Sequence, residues 1–283
     1  MEQGTISNIE FNLFRDFIYE QAGIRLSDQK KIFLVSRLSK RLRHYAVESF
    51  QDFFDLMIAS GPDGEQQVVI DLLTTNETYF FREPKHFEFL ADQILPKINK
   101  NKSFRVWSAA SSGGQEAYSV AMLLDDKLND DHWEILGSDI NLTVLQQAMQ
   151  GLYPQDRIQG IPTPYLQKYC YKGIDEYEGQ LLIDENLINK VKFSYINLTL
   201  PLNEIGTFEL ILLRNILIYF DMETKSQIIK RIEAKLEPGG YLFIGHAESI
   251  KDFNHGLIPI APSIYRKKHI QTKVKKGKRF YEL

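Results

Sequence analysis

The segment that most constrains this chain runs from residue 105 to residue 139. An apolar strand leads into the small residues at 109–114, and residues 115–124 then carry apolar side chains at helical spacing. A second apolar strand, at 133–138, ends on Asp139. This order of strand, small-residue turn, helix and acid-terminated strand is typical of half of a nucleoside-binding site. Small residues let a ligand approach the backbone, and a carboxylate can accept both ribose hydroxyls.

The glycine turn alone leaves two interpretations open. It does not read G-x-G-x-x-G, and many α/β folds place two glycines at such a turn only to pack a helix against a strand. Taken by itself, the segment therefore fits a tight turn without a ligand as well as it fits a nucleoside site.

From about residue 100 onward, predicted strands and helices alternate, which favours a parallel-centred sheet wrapped by helices. The nearly continuous apolar run at 208–213 predicts a strand buried on both faces. Residues 151–189 are richer in glycine, proline and tyrosine, and predict an insertion with short strands. The other predicted elements are helices at 142–151 and 222–236, strands at 191–196 and 241–244, and a closing antiparallel pair at 257–260 and 263–265.

The first 75 residues predict a set of helices, one of which is strongly amphipathic. That helix is expected to be capped by Asp28 and to run to about Tyr45. Its outer side is basic, which suits either an ordinary solvated face or a docking surface for an acidic partner. The basic residues are Lys30, Arg37, Lys40, Arg41 and Arg43.

Composition excludes several classes of function. The net charge of −3 does not favour nucleic-acid binding. A single cysteine, Cys170, rules out an internal disulfide or a multi-cysteine metal site. The six histidines show no paired metal-ligand spacing, so no metal site is predicted. The sequence also lacks a membrane-length apolar run and a signal-peptide pattern, so we expect a cytoplasmic protein without membrane insertion, and a monomer by default.

Polar residues recur where strands of the predicted sheet should end, and in the linker before it. In open α/β sheets, ligands bind at the carboxyl ends of the strands. Several polar clusters that converge there favour a binding site more strongly than the glycine turn does. The clusters contain Asn76, Thr78, Arg82, Glu116, Asp139, Asn197, Leu198, Arg214 and Asn215.

Five motifs in this order resemble those of the chemotaxis receptor methyltransferase (CheR) family. They lie at residues 75–83, 105–119, 137–140, 214–221 and 239–249, so the resemblance covers nearly the whole chain. Members of this family are class I S-adenosylmethionine-dependent protein-glutamate O-methyltransferases. The resemblance implies an α/β fold with a mixed seven-stranded, Rossmann-like sheet, helices on both faces, a small inserted β-subdomain and a small all-α N-terminal domain.

The resemblance also implies domain boundaries. Residues 1–75 would form the helical domain, and residues 76–99 a linker with a leading helix. Residues 100–270 would form the methyltransferase domain, with the insertion at about 152–190. Residues 271–283 would form a basic tail.

The cofactor implied by the resemblance is S-adenosylmethionine, with S-adenosylhomocysteine as product. Asp139 would hold the ribose, and Asn197 and Leu198 would face the adenine. Arg82 and Tyr219 would lie near the transferred methyl group as catalytic residues. The residues expected to line the cofactor pocket are Asn76, Thr78, Arg82, Ala110, Glu116, Asp139, Asn197, Leu198, Arg214 and Asn215.

The implied function is methylation of glutamates on the cytoplasmic domain of chemoreceptors. The basic helix would contact an acidic surface of the receptor. One motif departs from the family, because its first acid is Gln115 here and its proline is Ala117, while the second acid, Glu116, is kept. This departure motivates an alternative, a cofactor-binding regulator or scaffold without turnover. The basic tail motivates another, a methyltransferase of RNA or a small molecule.

Overall fold

The structure is a computed structural model that describes residues 6–99, 101–128, 132–202, 204–269, 272–275 and 278–281. Its first helix begins with a reciprocal capping box between Ser7 and Glu10 and ends at Gly23, in the left-handed conformation. The second helix begins at Lys31 and not at Asp28, which lies in a preceding 3-10 turn, so the predicted Asp28 cap is wrong. The N-terminal helices are α1 (Asn8–Ala22), α2 (Lys31–Tyr45), α3 (Phe50–Ala59) and α4 (Gln67–Leu73).

The linker that follows has an irregular backbone. Phe81 and Glu83 both have positive φ, at 53° and 59°, although the left-handed region is uncommon for residues with side chains. Helix α5 (Pro84–Phe89) starts with proline at its first position and continues through a π turn at Leu90–Ile94. Two strained residues in one short linker are typical of a functional segment.

The central sheet consists of seven strands, β1 (Phe104–Ala109), β2 (Trp133–Asp139), β6 (Val191–Tyr195), β7 (Phe208–Leu213), β8 (Leu236–Ile244), β9 (Leu257–Ala261) and β10 (Ile264–Lys267). They lie in the order β6-β2-β1-β7-β8-β10-β9. Strands β6, β2, β1, β7 and β8 are mutually parallel, and β10 and β9 close the sheet as antiparallel neighbours. This mixed sheet confirms the predicted fold class.

Helices α6 (Gln115–Lys127), α7 (Leu142–Gln150) and α10 (Met222–Lys235) wrap the sheet. Successive residues of a strand point to opposite faces, and β7 accordingly feeds two apolar cores. Ile211 and Leu213 belong to the core shared with α10 and the N-terminal helices. Leu210 and Leu212 belong to the core shared with α6. The helical domain therefore packs on one face of the central sheet.

Between α7 and β6 lies a small separate sheet in the order β3-β5-β4, whose pairings are antiparallel. Within the basic tail, β11 (Thr272–Lys275) pairs antiparallel with β12 (Lys278–Tyr281). None of the helices in the described ranges has both the length and the apolar character needed to cross a bilayer. The insertion contains β3 (Leu152–Pro154), α8 (Thr163–Tyr169), β4 (Cys170–Lys172), β5 (Gln180–Ile183) and α9 (Glu185–Lys190).

Candidate cofactor site

One pocket opens at the carboxyl ends of the parallel strands. Ala110 directly follows β1, and Asp139 is the last residue of β2. The strand-end pairs after β6 and β7 join them, as the topology requires. All the residues predicted to bind the cofactor or to act on the methyl group therefore lie around one cavity, although their roles remain predictions. They are Asn76, Thr78, Arg82, Ala110, Glu116, Asp139, Asn197, Leu198, Arg214, Asn215 and Tyr219.

The small-residue turn has two separate parts. Ala110, Ser111 and Ser112 line the pocket, so the backbone there is open to a ligand. Gly114 faces the other way: with φ at 88°, a Cβ there would lie 2.9 Å from the Cβ of Ala148. Gly114 is therefore needed for packing behind the pocket. The residues at 110–112 fit the interpretation of a ligand site, and Gly114 fits the interpretation of a turn that packs a helix against a strand.

Asp139 is buried at the end of β2, where its carboxylate is held by backbone donors. Oδ2 accepts from the N–H of Ser112 at 2.9 Å, and Oδ1 accepts from the N–H of Asn141 at 3.0 Å. Burial raises the pKa of Asp139 despite these hydrogen bonds. Each carboxylate oxygen can accept a further hydrogen bond, so the group can receive the two hydroxyls of a ribose.

Arg214 is the most deeply held cation of the site, with a side chain that is 2% exposed. Its Nη1 donates to Oε2 of Glu116 at 2.8 Å, and its Nη2 donates to Oε2 of Glu83 at 3.1 Å. Nη2 also donates to the carbonyl of Arg82. Two carboxylates therefore share one guanidinium, and of the two it is Glu116 that lines the pocket.

Arg82 does not form the ion pair with Glu83 or Glu116 that a structural role would require. Its Nη1 donates to the carbonyl of Glu77 at 3.0 Å, and its guanidinium lies 5.6 Å from the ring centroid of Tyr79. Because Arg214 takes both carboxylates instead, the charge of Arg82 stays available at the half-buried edge of the pocket.

Asn197 serves the contact between the two domains. Its Nδ2 donates to the carbonyl of Gln21 at 2.7 Å, and its Oδ1 accepts from the N–H of Thr199 at 2.9 Å. The side-chain amide is therefore already bonded within the protein. The neighbouring Leu198 is buried and gives the pocket an apolar wall.

The helical domain contributes to the pocket, which the sequence did not indicate. The backbone N–H of Arg25 donates to the carbonyl of Tyr219 at 2.9 Å, which brings the end of α1 beside the strand-end motif. These contacts depend on tertiary docking, so no local pattern could have indicated them. The helical-domain residues that line the pocket are Ala22, Ile24, Arg25, Leu26, Lys30, Phe33, Leu73, Thr74 and Thr75.

The predicted basic surface divides into two parts. Lys30, Arg37, Lys40 and Arg43 are exposed. Arg41 is less accessible: its Nε and Nη2 each lie 2.6 Å from an oxygen of Glu65, which is 4% exposed. A buried acid on a later segment therefore holds Arg41, and its part in docking stays a prediction.

Three potential metal ligands converge beside Arg214. The ligand atoms of Glu83, His86 and His246 lie within 4.8 Å of one another. Sequence spacing gave no sign of this cluster, because His246 is far along the chain from Glu83 and His86. Glu83 is already bound by Arg214, and that guanidinium would repel a metal ion there.

Comparison with known proteins identifies both parts of the chain. Residues 9–74 match the family model described as the CheR methyltransferase all-alpha domain. Residues 76–264 match the model described as the CheR methyltransferase SAM binding domain, where SAM is S-adenosylmethionine.

Full-length relatives agree with these matches. The chain is 37% identical over 261 residues to the chemotaxis protein methyltransferase of Escherichia coli, covering 90% of this chain and 88% of that protein. It is 36% identical to chemotaxis protein methyltransferase 2 of Pseudomonas aeruginosa, covering 90% and 92%. It is 34% identical to the chemotaxis protein methyltransferase of Borreliella burgdorferi, covering 92% and 97%. This chain therefore belongs to the CheR methyltransferase family, with an S-adenosylmethionine-binding domain behind an all-α domain.

Proposed function

We propose that this protein transfers a methyl group from S-adenosylmethionine to glutamate side chains of chemoreceptors, giving methyl esters that serve sensory adaptation. One observation carries the proposal: a single pocket joins the nucleoside-type residues Asp139 and Glu116 to the predicted catalytic residues Arg82 and Tyr219. The relatives named as chemotaxis protein methyltransferases support the choice of substrate.

The residues present fit the cofactor's three parts. Asp139 would hold the ribose, and Leu198 would contact the adenine. Glu116 and Arg214 would bind the amino group and the carboxylate at the methionine end. The cofactor itself would supply a methyl group carried on a positively charged sulfonium.

The receptor glutamate needs no general base. An ordinary glutamate has a pKa of roughly 4.3, so it is already ionised near neutral pH. The remaining task is to place one carboxylate oxygen in line with the methyl group and close to it. Arg82 would attract the carboxylate through its guanidinium, and Tyr219 would orient it through its hydroxyl.

The basic surface formed by Lys30, Arg37, Lys40 and Arg43 would meet an acidic receptor surface. Lys30 belongs to this surface and also lines the pocket, so a receptor docked on the basic surface would lie beside the cofactor pocket. We take the working protein to be a cytoplasmic monomer that does not bind nucleic acid.

The test is transfer of labelled methyl from S-adenosylmethionine to a purified receptor cytoplasmic fragment. We expect label that base releases as methanol. Reversal of two charges, Lys40→Glu with Arg43→Glu, should weaken transfer at low ionic strength, while Lys230→Glu on α10 is the matched control. An unlabelled receptor, with an enzyme that binds S-adenosylhomocysteine, would refute the proposal.

The alternative of a cofactor-binding regulator was based on Gln115 and Ala117, the two departures from the family motif. Neither residue lines the pocket, so the departures give this alternative little support. The alternative now predicts tight cofactor binding without turnover on any acidic protein, so measurable turnover eliminates it. The RNA alternative predicts binding that weakens with salt, and salt-insensitive weak binding eliminates it.

A further inference from the structure

The motif at residues 245–249 lies outside the cofactor pocket. It does not read G-x-S-x-G, so it is not a nucleophile elbow, yet the carboxylate of Glu248 is largely withdrawn from solvent. Glu248 accepts hydrogen bonds from three backbone N–H groups, those of Gly245 at 2.7 Å, Asn215 at 2.8 Å and Leu217 at 2.7 Å. Burial raises the pKa of Glu248, although these backbone donors favour its ionised form. The acid therefore ties the end of β8 to the loop that begins at Arg214.

A second carboxylate holds the same loop. Oε1 of Glu83 accepts from Nδ2 of Asn215 at 3.4 Å and from the N–H of His246 at 3.1 Å. Its other oxygen accepts from Arg214. Burial alone would raise the pKa of Glu83, but the Arg214 guanidinium and the His246 N–H outweigh it and the pKa is lowered.

The loop held by these carboxylates contains a residue in the left-handed region. Asn215 has φ at 59°, a conformation that asparagine adopts more readily than most residues other than glycine. Gly245 leaves room for the contact, because a Cβ there would lie 2.5 Å from Nδ2 of Asn215 and 2.8 Å from Oε2 of Glu248. The contact thus requires both glycine and acid in this motif.

We propose that Glu83 and Glu248 are positioning residues of the methyl-transfer site, which together clamp the loop from Arg214 to Tyr219. Glu83 fixes the side chains of Arg214 and Asn215. Glu248 fixes the backbone on which Tyr219 is carried. The inference rests on the proposed function for its effect on turnover, but its effect on cofactor binding is independent of the receptor.

The test compares Glu83→Gln and Glu248→Gln with Glu65→Gln in the full-length protein. Glu65 is the matched control, because it is a buried acid bound by an arginine, but in the helical domain. Isothermal titration with S-adenosylhomocysteine should show that each clamp variant binds about 10- to 100-fold more weakly, the factor for one lost charge-assisted hydrogen bond. Glu65→Gln should bind as the wild type does, even where its melting temperature falls as far.

Turnover and coupling give two further readouts. At saturating cofactor and receptor, Glu248→Gln should still show a lower kcat, because Tyr219 is displaced. The double variant should lose less than the sum of the single losses in binding free energy, because both acids hold Asn215. Gly245→Ala should reproduce the Glu248→Gln defect, which covers the case of an acid variant that does not fold.

Two results would overturn the inference. Folded clamp variants could bind S-adenosylhomocysteine within about twofold of wild type, or Glu65→Gln could lose as much affinity as they do. If wild-type protein binds S-adenosylhomocysteine but leaves receptors unmethylated, the proposed function fails. The affinities of the variants for S-adenosylhomocysteine would still show whether Glu83 and Glu248 position the site.

Discussion

Nη1 of Arg214 donates to Oε2 of Glu116 at 2.8 Å, which joins the strand-end motif to the glycine-turn motif inside the pocket. The other oxygen of Glu116 accepts from Oγ of Ser108 at 2.7 Å. Both oxygens of the acid are thus engaged, and the arginine is almost fully buried. Because removal of one partner leaves a buried charge with less compensation, this pair should be sensitive to substitution.

We therefore expect Glu116→Gln to weaken S-adenosylhomocysteine binding by about 10- to 100-fold and to lower stability by about 1–3 kcal/mol. Calorimetric titration and thermal unfolding measure the two effects. Glu134→Gln is the matched control: Glu134 also pairs with an arginine, but its side chain is 45% exposed, so it should change little. Unchanged affinity in folded Glu116→Gln would contradict this role.

The other acid position of that motif leads to the opposite expectation. Gln115 is the first residue of α6 and does not line the pocket. We expect Gln115→Glu to leave the affinity for S-adenosylhomocysteine within about twofold of wild type, since a carboxylate at a helix N-terminus is tolerated. The measurement is the same titration. A large gain in affinity would show that the departure from the family motif had weakened the site.

The seven strands could be predicted from the sequence because each contains an apolar or alternating run of strand length. The predicted start of β8 is too late, since the strand begins at Leu236 and pairs with β7 across a register shift. The pocket residues could be predicted because parallel strands bring their carboxyl ends together. The ion pair of Arg41 with Glu65 could not be predicted, because helical periodicity identifies a face but not an acid that another segment supplies. The contacts of Gln21 and Arg25 with the catalytic domain were missed for the same reason, since they depend on docking between domains.

Tyr219 offers a test that separates catalysis from binding. Its backbone carbonyl already accepts from the N–H of Arg25, so Tyr219→Phe removes only the hydroxyl and keeps that contact. We expect kcat for receptor methylation to fall by about 10- to 100-fold, the loss typical of one orienting hydrogen bond. The affinity for S-adenosylhomocysteine should stay near wild type. Tyr241→Phe, outside the pocket, is the control, and equal kcat for both variants would remove Tyr219 from the mechanism.

Gly23 links the end of α1 to the catalytic domain. Its φ is 68°, and a Cβ there would lie 2.8 Å from Cγ2 of Thr199 and 3.1 Å from Cγ2 of Thr224. Gly23→Ala should therefore add a clash to the left-handed strain of about 1–2 kcal/mol. Because the adjacent Ala22 and Ile24 line the pocket, binding of S-adenosylhomocysteine should weaken as well.

The control for this variant is Gly179→Ala, since Gly179 has φ at 81° but no atom within 4 Å of its Cβ position. Its stability loss should reflect strain alone, without a change in S-adenosylhomocysteine affinity. Chemical unfolding and calorimetric titration compare the two variants. Equal effects would mean that contact between the domains does not shape the cofactor site.

His86 makes the folded protein sensitive to acid. The ring is 2% exposed and packs against Phe243, with ring centroids 4.9 Å apart. Within the described part of the chain, neither ring nitrogen has a hydrogen-bond partner, and Nδ1 lies 3.4 Å from Oε2 of Glu83. Burial first, and the nearby Arg214 charge second, lower its pKa from 6.5 to about 3, while Glu83 opposes the shift. The imidazole is thus neutral in the folded state at neutral pH.

Between about pH 3 and pH 6.5, His86 is protonated in the unfolded chain but neutral in the folded protein. Stability should therefore fall as the pH drops through this window, by at most about 1.4 kcal/mol per pH unit from this residue. His86→Phe keeps an aromatic ring beside Phe243 and should flatten the slope of unfolding free energy between pH 6.5 and pH 5, measured by urea titration. His44→Phe, at an exposed position, should keep the wild-type slope. Parallel slopes for the wild type and His86→Phe would mean that His86 accepts its proton in the folded protein, and that Glu83 then holds an imidazolium in addition to Arg214.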